Sequence, residues 1–309
     1  MSEITIKELT KDYGHSRGVF NVEFEVKKGE IFGFIGTNGS GKTTTIRHIM
    51  GFSRPDNGTI KVRNIDATKH STEVKKWIGY VPGEIAFPDL STGKSFIESQ
   101  AELLKLKDFD LANRLIDIFK IDLRVNPRKM SKGMKQKTAI IAGFMNNSDI
   151  LILDEPTTGL DPLMREEFMR LLEYERNKGK TIFISSHLFD ELENLCDRVA
   201  LIKDGHIVSI ANIKDIKHPN EREYKIEFKD KENYEAFIKL PFTFDNYRPE
   251  QNQVFVIVKR EEIPMFVSSL SKYSLKFVIE IKYNLERFFK DKFNYKEMVG
   301  VELGLVFHY

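Results

Sequence analysis

Apolar residues recur along the first two thirds of the chain in two rhythms. Short continuous or alternating runs occupy Ile4–Leu9, Val22–Val26, Ile31–Ile35, Ile150–Leu153, Thr181–Ser185 and Arg198–Ile202. Between them, Lys42–Met50, Gly93–Leu106, Leu111–Ile118, Lys132–Met145, Arg165–Arg176 and Leu188–Cys196 space their apolar residues three and four apart. The first rhythm predicts strands and the second helices. Their alternation predicts an α/β fold, a mostly parallel sheet covered by helices, with ligand chemistry at the carboxyl ends of strands. The first two strands precede any helix and read as an antiparallel side sheet.

The pattern changes near Ile210–Pro219. Just before it, Lys203–Asp204–Gly205–His206 predicts a tight turn between two strands. Beyond it, residues 220–309 are rich in Lys, Glu, Phe and Tyr, with Gly300 and Gly304 the only glycines. Strands are expected at Tyr224–Phe228, Val254–Val258 and Phe277–Ile281, and helices at Lys231–Leu240, Glu261–Leu270 and Asn284–Phe293. The expected division is a domain at 1–212 and a small α+β domain at 220–309, the latter without a site motif.

Composition narrows function by exclusion. A chain of 309 residues, 41% hydrophobic and 30% charged, fits an ordinary globular protein of two domains. A net charge of +2 gives no bulk electrostatic case for a nucleic-acid partner. Cys196 is the only cysteine, which excludes an internal disulfide and fits a reducing cytosol. The opening MSEITIKELTKDYG carries charges where a signal peptide needs an apolar run, so export is not expected. No run of about 18 apolar residues occurs, so any membrane role is expected through a partner.

The strongest local signal is Gly36–Thr37–Asn38–Gly39–Ser40–Gly41–Lys42–Thr43–Thr44, which follows an apolar strand and opens a helix. It satisfies the phosphate-loop pattern, in which glycines let successive backbone N–H groups curl toward phosphate oxygens. Lys42 is expected to reach the β- and γ-phosphates of ATP and Thr43 to ligate Mg2+, with the helix N-terminus aimed at the same anion. The second signal is Ile150–Leu153 followed by Asp154 and Glu155. Adjacent acids at the exit of a buried strand need a cation or donors. A magnesium ion on the phosphates supplies one, so Asp154 is expected as its partner, and Glu155 is expected to orient or deprotonate the attacking water.

With these residues in hand, residues 1 to about 212 resemble the ATP-binding subunits of ABC transporters. Met130–Ser131–Lys132–Gly133–Met134–Lys135–Gln136 resembles the family signature before a helix, and Pro156–Thr157–Thr158–Gly159–Leu160–Asp161 is similar to the stretch that ends in the D-loop. His187, closing the strand Thr181–Ser185, is similar to the switch histidine, and Tyr13 sits where the family stacks an aromatic ring on adenine. The resemblance implies a phosphate-loop ABC ATPase core with a helical subdomain over about 85–145 and a membrane permease as partner. It also implies a second copy or a paralogue, whose nucleotide Ser131, Lys132 and Gly133 would contact across the pair. The implied location is cytoplasmic, peripheral on the membrane through the permease. Ser131 reads equally as a helix N-cap, and Tyr13 also as an edge aromatic.

Two departures stand out. Lys132 and Met134 replace a glycine and the glutamine of the signature, and Gly83 occupies the place of the Q-loop glutamine, with Glu84 next to it as a possible substitute. Both variants resemble bacterial drug- and antibiotic-exporter subunits, as does Leu285–Glu286–Arg287–Phe288–Phe289 near the end. The alternatives are a non-transport ABC ATPase acting on nucleic acid or ribosomes, and a small-molecule kinase. The first would carry a long coiled coil or two cassettes, and the second would lack the signature and the histidine.

Overall fold

The computed structural model describes residues 1–217 and 220–292. Pro219, at the expected boundary, and Phe293–Tyr309, including the end of the last expected helix, lie outside the described residues. The chain divides into two compact units, Met1–Asn212 and a second that begins at Ile213.

The first unit runs β1 (Ser2–Asp12), β2 (Gly18–Lys27), β3 (Ile31–Ile35), α1 (Lys42–Ile49), β4 (Asn57–Val62), β5 (Ile65–Asp66), α2 (Ser71–Val74) and β6 (Ile78–Val81). It continues through α3 (Gly93–Leu103), α4 (Asp110–Phe119), α5 (Lys132–Phe144), β7 (Ile150–Asp154), α6 (Pro162–Asn177), β8 (Thr181–Ser186), α7 (Phe189–Leu195), β9 (Arg198–Lys203) and β10 (His206–Asn212). The central sheet has the order β10-β9-β3-β8-β7-β6, parallel except for the β10–β9 hairpin. β3, β7 and β8 are buried at every position, which is why they read as continuous apolar runs. The side sheet, β2-β1-β4-β5, is antiparallel. β2 alternates buried and exposed residues over most of its length, as a strand with one face on the core does.

A phenylalanine cluster joins the two sheets. Phe24 of β2 stacks on Phe32 of β3 at 5.2 Å and on Phe183 of β8 at 5.8 Å, with Phe34 tilted against both Phe24 and Phe183. α5 packs against α3, α4 and β6, forming the helical portion of the unit. Short, glycine-containing β4 and β6 carry no sequence period long enough to announce them. α3 stops at Leu103, three residues before its expected end, where Lys105 takes positive φ.

The second unit comprises α8 (Ile213–Lys217), β11 (Glu221–Phe228), α9 (Lys231–Phe237), β12 (Thr243–Arg248), β13 (Gln253–Lys259), α10 (Ile263–Leu270), β14 (Leu275–Ile281) and α11 (Leu285–Lys292). Its antiparallel sheet has the order β12-β13-β11-β14. The buried side chains Ile226, Phe228, Tyr234, Phe237, Val254, Val256, Val258 and Phe266 make its core. β12 escaped sequence reading because an almost wholly exposed edge strand has no apolar alternation to betray it. Leu285 and Phe289, one helical turn apart on α11, are both fully buried, so their spacing has a packing reason.

One buried ion cluster sits at the opposite end of the first unit from the strands' carboxyl termini. Glu175, 1% exposed near the end of α6, pairs with Lys178 at 2.9 Å and Lys180 at 2.5 Å. Burial alone would push its carboxyl up, but the hydrogen bonds from Lys180 and Lys178 outweigh it and leave the group below its usual value. A depressed folded pKa stabilises above the unfolded value and is lost as pH falls through the folded one. Glu175→Gln should therefore cost roughly 1.5–3 kcal/mol at neutral pH. Its deficit against wild type, followed by urea unfolding, should shrink as pH drops below 4.5.

Candidate active site

Strand register assembles the site. Ile35 of β3 pairs with Ser186 of β8, and Asp154 of β7 pairs with Ser185, so three adjacent parallel strands end side by side. The Gly36 N–H donates to Ser186 O at 3.3 Å, which starts the glycine loop beside the end of β8. Gly41 closes that loop at φ 110°, and a Cβ there would lie 2.7 Å from Val19 Cγ1, so both conformation and space demand glycine. No side chain caps α1 after Gly41, and its first amides face the loop as an anion site does.

Lys42, 5% exposed, is held inside the loop. Its Nζ donates to Gly36 O at 2.7 Å and Thr37 O at 3.0 Å, and lies 3.1 Å from Glu155 Oε1. Glu155 adopts φ 47° and donates its N–H to Ser185 Oγ at 3.0 Å. That turn carries its carboxylate away from the β7 direction, and Oε2 reaches His187 Nδ1 at 2.7 Å. Asp154 Oδ1 accepts from Ser185 Oγ at 2.7 Å, while buried Oδ2 has no hydrogen-bond partner among the described residues. Burial pushes the Asp154 carboxyl above its ordinary value, partly offset by the Ser185 and Thr43 hydroxyls and by Lys42, with Glu155 adding to the rise. Tyr80, on β6, has its phenol pushed up to about 12 by burial and by the charge of Asp154. Two carboxylates, one of them with an orphaned buried oxygen, and the Thr43 hydroxyl make a hard oxygen donor set that fits Mg2+.

Among the described residues, the other expected residues make no hydrogen bond or ion pair to this cluster, although Gly83 packs against it. Tyr13 lies in the β1–β2 turn, half exposed, with Lys11 Nζ 5.8 Å from its ring. Ser131 caps α5, accepting from Met134 N at 3.2 Å. Gly133 abuts the loop after Glu155, where a Cβ would lie 2.7 Å from Gly159 O, and the stem of exposed Lys132 lies across Gly159. Asp161 caps α6 through Met164 N at 3.0 Å. Gly83 fits against Asp154, its would-be Cβ 3.3 Å from the carboxyl carbon and Oδ2, while Glu84 is exposed and makes no hydrogen bond or ion pair among the described residues. Sequence reading missed Ser185, which holds both acids at once. A serine ending an apolar strand carries no motif, and only its pairing with Asp154 exposes the role.

A glycine loop, a lysine inside it and a strand-end acid pair at the carboxyl edge of a parallel sheet define a phosphate-loop ATPase. The ABC transporter family model matches residues 19–158. The bacitracin transport ATP-binding protein BcrA of Bacillus licheniformis is 30% identical over 256 residues, covering 81% of this chain and 83% of BcrA. The linearmycin resistance ATP-binding protein LnrL of Bacillus subtilis is 32% identical, over 68% of this chain and 69% of LnrL. A solved ATP-binding subunit of an ABC transporter superposes with a TM-score of 0.63 at 27% identity, over 70% of this chain and 92% of that one. The chain belongs to the ATP-binding proteins of ABC transporters and is an ATP-hydrolysing subunit of that family.

The contact between Gly133 and Gly159 makes a direct prediction. Gly133→Ala forces α5 off the loop that follows Glu155, since a backbone oxygen cannot yield as a side chain does. The expected cost is about 1–3 kcal/mol, read as a lowered urea midpoint with an unchanged slope.

Proposed function

We propose that this subunit powers a separate membrane permease that exports an antibiotic-type substrate, working from the cytoplasmic face as one of a pair of ATPase subunits. The convergence of Lys42, Asp154, Glu155 and His187 at three neighbouring strand ends carries the reading. The loop Gly36, Thr37, Asn38, Gly39, Ser40, Gly41 with Thr44 wraps the phosphates through backbone amides, and the Lys42 ammonium turns from its loop carbonyls to the β- and γ-phosphates. Thr43 and Asp154 hold Mg2+, which when bound neutralises phosphate charge. Glu155 orients the attacking water and takes its proton. His187, within reach of Glu155, reports the loss of the γ-phosphate. Tyr13 offers an exposed ring to adenine. The names of the bacitracin and linearmycin relatives support export. Domains at 1–212 and 220–309 would separate this engine from an accessory unit.

Binding and chemistry separate in two variants. Lys42→Ala should abolish most ATP affinity, while Glu155→Gln should bind ATP normally and lose roughly 10²–10⁴ in turnover. Wild-type hydrolysis by Glu155→Gln would remove Glu155 from the mechanism. Glu84→Ala belongs in the same kinetic series. If Glu84 replaces the Q-loop glutamine, its loss should lower permease-stimulated turnover more than basal turnover.

Pairing is tested by mass. Ser131, Lys132 and Gly133, at the exposed start of α5, would complete the partner's nucleotide site, with Asp161 alongside at the shared face. Glu155→Gln with ATP and Mg2+ should double in mass by light scattering and return to monomer without nucleotide. A mass that ignores saturating ATP would count against the shared site.

A further inference from the structure

Behind the acid–histidine pair lies a buried carboxylate to which neither the motifs nor the reading above gives a task. The side chain of Glu191, in the first turn of α7, is 7% exposed. Its Oε2 accepts from Thr157 Oγ1 at 2.9 Å and from Ser186 Oγ at 3.1 Å, and Arg165 Nε of α6 lies 3.2 Å from Oε1. Thr157 stands two residues after Glu155, and Ser186 directly precedes His187. The Ser186 hydroxyl also accepts from Leu188 N at 3.0 Å, so it spans the histidine on both sides.

The geometry points to Glu191 as the residue that positions Glu155 against His187. Strand pairing ends at Asp154 and Ser185. The last backbone bond between the two strands runs from Glu155 N–H to Ser185 O at 3.2 Å, and His187 lies two residues beyond it, outside the ladder. Glu155 has already left the strand direction at positive φ. Beyond the bonds from Glu155 N–H to Ser185, one carboxylate oxygen of Glu191 accepts from a hydroxyl of each segment. A buried anion costs stability unless it is paired; here Oε2 is engaged by both loops, and the Arg165 guanidinium lies 3.2 Å from Oε1 as a charge without a hydrogen bond to it. Loss of the acceptor frees Thr157 and Ser186 to part and loosens the 2.7 Å contact between His187 and Glu155, while the Lys42 loop, held separately on α1, keeps its grip on nucleotide.

The inference rests on the roles given to Glu155 and His187, so the test includes them. In steady-state ATPase assays of the full chain, Glu191→Ala should lower kcat about tenfold or more and leave the KM for ATP within about twofold. Glu191→Gln retains an oxygen acceptor for both hydroxyls and should recover most of that loss. Thr157→Val should resemble Glu191→Ala, and the double variant should be no slower than either single one, because both remove the same tie. His187→Ala serves as the reference. If it turns over at the wild-type rate, the reading of the site fails whatever Glu191 does. If His187→Ala is impaired and Glu191→Ala is not, only the positioning role is overturned. Multiplying losses in the double variant, or a kcat loss matched by lost ATP affinity, would also overturn it.

Discussion

A carboxylate buried at the end of a strand is the constraint around which the site is organised. Asp154 is 1% exposed, and an ion so placed must collect donors and cations or give up its charge. One oxygen is met by Ser185 and the other has no hydrogen-bond partner among the described residues. The surrounding chemistry follows from that imbalance. Lys42 lies close by, and the Thr43 hydroxyl draws the group back toward ionisation. An ATPase that must release its product is served by a site that is electrostatically incomplete on its own.

Rigidity behind the site comes from ordinary packing. Phe24, Phe32, Phe34 and Phe183 lock the side sheet onto the parallel one, so β3 and β8 cannot slide without breaking the aromatic cluster. Because Ile35 and Ser186 share a rung, any slip would move the start of the glycine loop relative to His187. The core thereby holds residues whose chemistry it does not touch. Beyond the last rungs, side chains take over: Ser185 for the acids, Ser186 and Thr157 for the segments that follow.

The departures from the family pattern become physical at two glycines. Gly83 leaves only tight space for a side chain beside Asp154, whose carboxyl carbon, Oδ2 and carbonyl oxygen each lie 3.3 Å from a would-be Cβ. Glu84 is exposed to solvent. At the start of α5, Gly133 has no room for a side chain because Gly159 O is 2.7 Å from where its Cβ would stand.

The sequence by itself determined what depends on local order. The buried strands β3, β7 and β8 announced themselves as unbroken apolar runs, α1 and α5 as helices opened by Gly41 and Ser131, and the phosphate loop as glycines that backbone curvature requires. These features are legible because each is decided within about ten residues by period, turn chemistry or capping. Tertiary structure alone decided which strand lies beside which. The order β9-β3-β8-β7 brings residues 36, 154 and 187 together from three distant stretches of chain, and no local rule states it. β12 was silent because an exposed edge needs no apolar rhythm. Glu191 was silent for a related reason: on a charged helix, a buried glutamate and a solvated one are spelled alike, and only the two hydroxyls that close on it tell them apart.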